Sequence, residues 1–158
     1  MILSIADPDA MAALAARLAP HLAAGDLVAL NGELGAGKTT FTRGLGLALG
    51  VRGAVTSPTF VLARTHPRDG GAPLVHVDAY RLSSAVELDD LDIDFERSIV
   101  VVEWGAGLLD GVTDSWLQLD IERPHGGVEA EDGIEPRTVS VTGHGERWAD
   151  LAWLRAER

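Results

Sequence analysis

Three observations predict an α/β fold, one domain with a mixed central sheet flanked by helices. Asp26 to Asn31 is a compact apolar run of strand length. Gly32-Glu33-Leu34-Gly35-Ala36-Gly37-Lys38-Thr39 follows at once, and Thr39 to Leu49 then has helical spacing up to a stop at Gly50. Strand, glycine-rich loop and helix form the context in which G-x-x-x-x-G-K-[ST] binds phosphate, so the expected fold is that of a P-loop NTPase, with a parallel core and antiparallel hairpin strands beside it. With this composition the pattern arises by chance in about one chain in a thousand of this length. The 158 residues fit one domain, and 46% hydrophobic composition is ample for its core.

The remaining elements follow in order. Residues 1–5 read as a short strand, and Asp7-Pro8-Asp9 opens a helical segment whose Met11, Leu14, Leu18 and Leu22 share a face. Pro20 is placed to kink or end it. Thr59 to His66 and Pro73 to Leu82 are strand-like runs around Arg68-Asp69-Gly70-Gly71, which predicts an antiparallel hairpin. Ser84 to Leu91 reads as a short helix. Ser98 to Val102 is continuously β-branched or apolar, as a strand buried on both faces should be, and it ends at Glu103. Trp116 to Ile121 and Thr138 to Val141 alternate like paired strands. The Gly-rich, acidic stretch 124–136 between them reads as a mobile, solvated loop. Glu146 to Glu157 closes the sequence as a small amphipathic helix.

Lys38 is the only lysine; the other twelve basic residues are arginine. The site calls for a compact ammonium on a thin stem that threads past glycines to a phosphate, which a planar guanidinium cannot do. Gly35 and Gly37 let the backbone come close, and consecutive N–H groups at the start of the helix form the anion site. Lys38 is expected on the β- and γ-phosphates and the Thr39 hydroxyl on Mg²⁺. A second anchor for that ion is expected at the end of a neighbouring buried strand, where Glu103 stands. His76, Asp78 and Tyr80 alternate and therefore share one strand face. Asp78 is a candidate to position or deprotonate the attacking water, to hold Mg²⁺ indirectly, or to make a structural hydrogen bond. His76 reads first as packing, since His76 and Asp78 alone lack a third metal ligand. Thr56-Ser57-Pro58-Thr59-Phe60 is a hydroxyl-rich loop of the kind that senses a γ-phosphate, or simply a turn into a strand.

Composition narrows the function further. No stretch approaches a membrane span, and the N-terminus lacks the basic-then-apolar pattern of a signal peptide. The absence of cysteine excludes disulfides and thiolate metal sites, which suits a cytoplasmic protein. A net charge of −11 repels nucleic-acid phosphates, so direct contact with DNA or RNA is not expected, and where the biology involves either, another subunit is expected to do most of the touching.

The set GELGAGKTT, TSPTF, HVDAYRL and VVVEWG, in this order, resembles the bacterial TsaE (YjeE) family, small P-loop ATPases of tRNA threonylcarbamoyladenosine (t6A) formation. The resemblance runs from about residue 5 to about residue 143. It implies ATP as substrate with slow hydrolysis, nucleotide contacts along Gly32 to Thr40, and Mg²⁺ at Thr39 and Glu103. It also implies functional weight on Asp78 and Trp104, an arginine near the nucleotide base at Arg137, and TsaD and TsaB subunits as partners. The chain departs from the family at Gly105, where members often carry Pro, and in the length of the acidic 124–136 stretch.

Other readings of the same loop stay open. A small-molecule kinase would close an arginine-bearing lid, for which Arg64 and Arg68 are the nearest residues. A nucleotide-binding module without turnover is the other. A GTP switch reading guanine through N-K-x-D is excluded, because Lys38 is the only lysine.

Overall fold

The computed structural model describes residues 1–33, 36–51, 53, 63–78, 93–103, 113–123 and 136–154. Seven strands form one mixed sheet: β1 (Ile2–Ile5), β2 (Leu27–Gly32), β3 (Ala63–His66), β4 (Leu74–Asp78), β5 (Ile99–Glu103), β6 (Trp116–Glu122) and β7 (Arg137–His144). Their spatial order is β1-β7-β6-β2-β5-β4-β3. The neighbours β6-β2-β5-β4 run parallel, whereas β3 pairs antiparallel with β4, and β7 lies antiparallel to both β6 and β1. The expected parallel core and both expected antiparallel pairs are therefore present. The expected helix at 84–91, the hydroxyl-rich loop 56–60 and most of the 124–136 stretch lie outside the described residues.

Helix α1 (Pro8–Leu18) begins where the sequence signals it. The Asp7 carboxylate accepts the Ala10 N–H at 2.8 Å, and Pro8 occupies the first turn, where no N–H is missed. Pro20 ends rather than kinks the helix, because the chain continues as a 3-10 turn, Ala19–His21. Helix α2 (Lys38–Leu49) stops at Gly50. Met11, Leu14 and Leu18 of α1 and Phe41 and Leu45 of α2 pack into one cluster with Val28, Leu30, Leu74, Ile99, Val101, Leu119 and Val141 from the sheet. Both α-helices thus cover one face. The alternating residues Leu27, Ala29, Val75, Val77, Val100 and Val102 form a second cluster on the other face, against Ile93, Phe95 and Trp116. Burial on both faces is why β5 reads as an unbroken apolar run.

The helix expected over Glu146 to Glu157 is a correction. Among the described residues that segment forms two separate 3-10 turns, Glu146–Trp148 and Ala152–Leu154. The Asp150 carboxylate between them accepts the Ala152 N–H at 2.9 Å. Trp148 is buried, Trp153 stacks on His21 with ring centroids 3.8 Å apart, and Arg147 turns to Asp26. These tertiary anchors override the local helical preference.

Candidate phosphate-binding site

The loop leaves β2 at the carboxyl end of the parallel strands, where ligands bind in open α/β sheets. Gly32 has no room for a side chain: a Cβ there would lie 2.7 Å from the Ile121 carbonyl oxygen on β6. Gly37, with φ of 119°, takes the left-handed turn into α2 that other residues rarely adopt. Leu34 and Gly35 lie outside the described residues; Glu33 is exposed and Ala36 buried. No side chain caps the first turn of α2, so Lys38, Thr39 and Thr40 begin a helix whose N–H groups face outward at its positive end. Thr39 and Thr40 are half-buried, and Thr42 donates its hydroxyl to the Lys38 carbonyl at 2.9 Å.

Lys38 is buried, its ammonium donating to the Gly32 carbonyl at 2.5 Å and the Glu33 carbonyl at 3.2 Å. Burial lowers its pKa from the ordinary lysine value, against the attraction of Glu103 and then Asp78. The electrostatics thus tie the phosphate-loop lysine to both acids.

Strand pairing explains why. Leu30 of β2 lies opposite Glu103 of β5, and Glu103 opposite Asp78 of β4, so the loop and both acids line up along one edge of the sheet. Glu103 shares the face of Ile99 and Val101, and Asp78 that of Leu74, which is the face α2 covers. Glu103 is 5% exposed and Asp78 half-buried. His76, fully buried one step back on the same face, donates from Nε2 to Glu103 Oε2 at 2.9 Å. Two residues apart on one strand gave no sign of this partner, because it comes from another strand. The alternation of His76 with Asp78 was the available signal.

Arg137, the first residue of β7, donates from Nε to the Ala36 carbonyl at 3.0 Å, so it sits against the phosphate loop itself. Trp104 lies outside the described residues. On the β6 side of the loop, away from Glu103, a cleft of about 200 Å³ is lined by Asn31, Gly32, Glu33, Asp120, Ile121 and Glu122. Asn31 donates there to Asp120 at 3.1 Å.

With its glycine-rich loop joining β2 to α2 and a carboxylate ending the adjacent parallel strand, the chain has the fold of a P-loop NTPase. The sequence model of "Threonylcarbamoyl adenosine biosynthesis protein TsaE" matches residues 5–130, and the chain belongs to the TsaE family. It is 59% identical over 143 residues to the tRNA threonylcarbamoyladenosine biosynthesis protein TsaE of Streptomyces coelicolor, covering 88% of this chain and 94% of that one. The Bacillus subtilis protein of the same name is 34% identical over 148 residues, covering 92% and 87%. Among solved structures, that of Bacillus subtilis YdiB superposes with a TM-score of 0.69 at 30% identity, over 94% of this chain and 88% of that chain.

Proposed function

We propose that this chain is a Mg²⁺-dependent ATPase of the cytoplasm that supports t6A modification of tRNA at position 37 by acting on a TsaD–TsaB complex. The observation that carries the reading is the buried Lys38, held at the phosphate loop and electrostatically joined to Glu103 and Asp78. The names of the relatives supply the pathway.

In this reading Gly32, Glu33, Leu34, Gly35, Ala36 and Gly37 wrap the phosphates with backbone N–H groups, joined by those of Thr39 and Thr40 at the start of α2. Lys38 exchanges its two carbonyl contacts for the β- and γ-phosphates. The donors present suit Mg²⁺: a hydroxyl at Thr39 and a carboxylate at Glu103 are hard oxygen ligands, and among the described residues only one Glu103 oxygen has a hydrogen-bond partner. With two protein ligands, the remaining positions of the ion would be filled by phosphate oxygens and water, as Mg²⁺ prefers. Bound Mg²⁺ would neutralise charge on the phosphates. Asp78, beside Glu103 in register, orients the attacking water. Arg137 braces the loop at Ala36, and Trp104 follows Glu103 at the nucleotide.

The net charge of −11 directs contact toward protein partners rather than tRNA. Hydrolysis is slow alone and serves to reset the partner complex between rounds. The test is the ATPase rate of the purified chain with and without TsaD–TsaB. Stimulation and a detectable complex are expected; an unchanged rate with no complex would favour a small-molecule kinase instead.

A further inference from the structure

We propose that His76 is a positioning residue for the metal anchor: its Nε2 fixes one oxygen of Glu103 so that the other is presented to the phosphate-bound Mg²⁺. This deepens the Mg²⁺-ATPase reading and rests on it.

The geometry is specific to the pairing of β4 with β5. Asp78 stands opposite Glu103 and His76 opposite Val101, so His76 is the diagonal neighbour of Glu103 on the same sheet face. The imidazole is fully buried and the carboxylate nearly so, and they meet at 2.9 Å between Nε2 and Oε2. An ionised carboxylate only accepts, so Nε2 carries the hydrogen of this bond. The other ring nitrogen, Nδ1, is buried with no hydrogen-bond partner among the described residues, so among them the Glu103 contact is the bond that orients the ring.

Glu103 needs such a constraint. A glutamate has one more side-chain torsion than the aspartate that commonly ends this strand in P-loop proteins, and its carboxylate sweeps a wider arc. Among the described residues, His76 is the side chain that hydrogen-bonds Glu103 and so limits that arc, while Asp78 and Lys38 act on it through charge. Carboxylates that ligate metals are themselves commonly oriented by a second hydrogen bond, and losing that bond typically costs about 10- to 100-fold in metal affinity. A histidine serving the fold alone would show its loss in stability, with no preference for the metal-bound state.

The experiment measures Mn²⁺ binding to the protein–ADP complex by electron paramagnetic resonance, and ADP binding without metal by calorimetry. His76→Phe keeps an aromatic ring, slightly larger, and removes the donor. It is expected to weaken Mn²⁺ binding by about 10- to 100-fold while metal-free ADP affinity stays within about twofold. His76→Gln, whose amide nitrogen reaches a similar position, is expected to recover most of the loss. If His76→Phe does not fold, His76→Asn serves instead, since its amide ends short of Glu103. A folded donor-less variant with wild-type Mn²⁺ affinity overturns the proposal, as does an equal loss of metal-free ADP affinity. Wild-type protein whose ADP complex binds no Mn²⁺ overturns the Mg²⁺-ATPase reading as well, so the two failures are distinct.

Discussion

Two buried acids lie at opposite ends of the parallel strands, and they are held in different ways. Asp26, just before β2, is 6% exposed and completely engaged: its carboxylate accepts from Arg147 Nε at 2.5 Å, from Arg147 Nη2 at 2.7 Å and from the Ala23 N–H at 2.8 Å. Arg147 also donates to the His21 carbonyl, and the pair raises its pKa above the ordinary arginine value, chiefly through the hydrogen bond to Asp26. Glu103, at the far end of β5, is equally buried but has His76 as its hydrogen-bond partner and Lys38 within electrostatic reach. A carboxylate whose bonding is complete clasps the C-terminal turns to the base of β2. Glu103, with one oxygen left unbonded among the described residues, keeps the capacity that the proposed Mg²⁺ role requires. Similar burial therefore accompanies two different bonding states, and the hydrogen-bond inventory separates them.

Breaking the closed acid should cost stability. Arg147→Ala strands the Asp26 carboxylate, and because Arg147 is 45% exposed the loss should fall below that of a fully buried pair, at about 2–3 kcal/mol in chemical denaturation. An unchanged midpoint would show the clasp to be incidental. At the open end the cost should appear in ligand binding instead. Lys38→Ala removes a charge-assisted phosphate contact and should lose about 1.5–3 kcal/mol of ATP affinity, read by calorimetry, with a smaller loss of stability than Arg147→Ala. Glu103→Gln keeps an oxygen that accepts from His76, so the fold should persist within about 1 kcal/mol while the Mg²⁺ dependence of hydrolysis weakens. A coincident Mg²⁺ titration would make Glu103 structural, like Asp26.

The smallest effect concerns His66, on β3 beside this face. It is buried, its Nε2 has no hydrogen-bond partner among the described residues, and its pKa is lowered from 6.5, first by burial and then by His76 and Arg64. A lowered folded-state pKa means the unfolded chain binds the proton more readily. Stability should therefore fall as pH drops below 6.5, and the penalty is complete once pH lies below the folded-state value. His66→Leu should flatten that slope; an identical pH profile would show that His66 escapes the penalty.

The difference between the two ends also explains what the sequence could reveal. Strand β2, the loop and α2 are contiguous, so their chemistry is written in one stretch, and the apolar run ending at Glu103 carries its own signal. The clasp joins residues 121 apart and the His76–Glu103 bond residues 27 apart, and both depend on which strands become neighbours. Nothing local in β4 says that β5 will lie beside it with Val101 opposite His76. The C-terminal turns escape a local reading for the same reason. Its periodicity is helical, but Arg147 and Trp153 are claimed by Asp26 and His21, which no window around residue 150 contains.

The burial of Lys38 has a consequence for measurement. Because the sequence holds one lysine, nitrogen-15 labelling of the lysine amine gives a single side-chain ammonium resonance from these 158 residues, and it sits on the carbonyls of Gly32 and Glu33. If a phosphate ligand binds as proposed, that one signal will move as the ammonium leaves these carbonyls. It needs no probe attached to the site, and no other side-chain amine can obscure it.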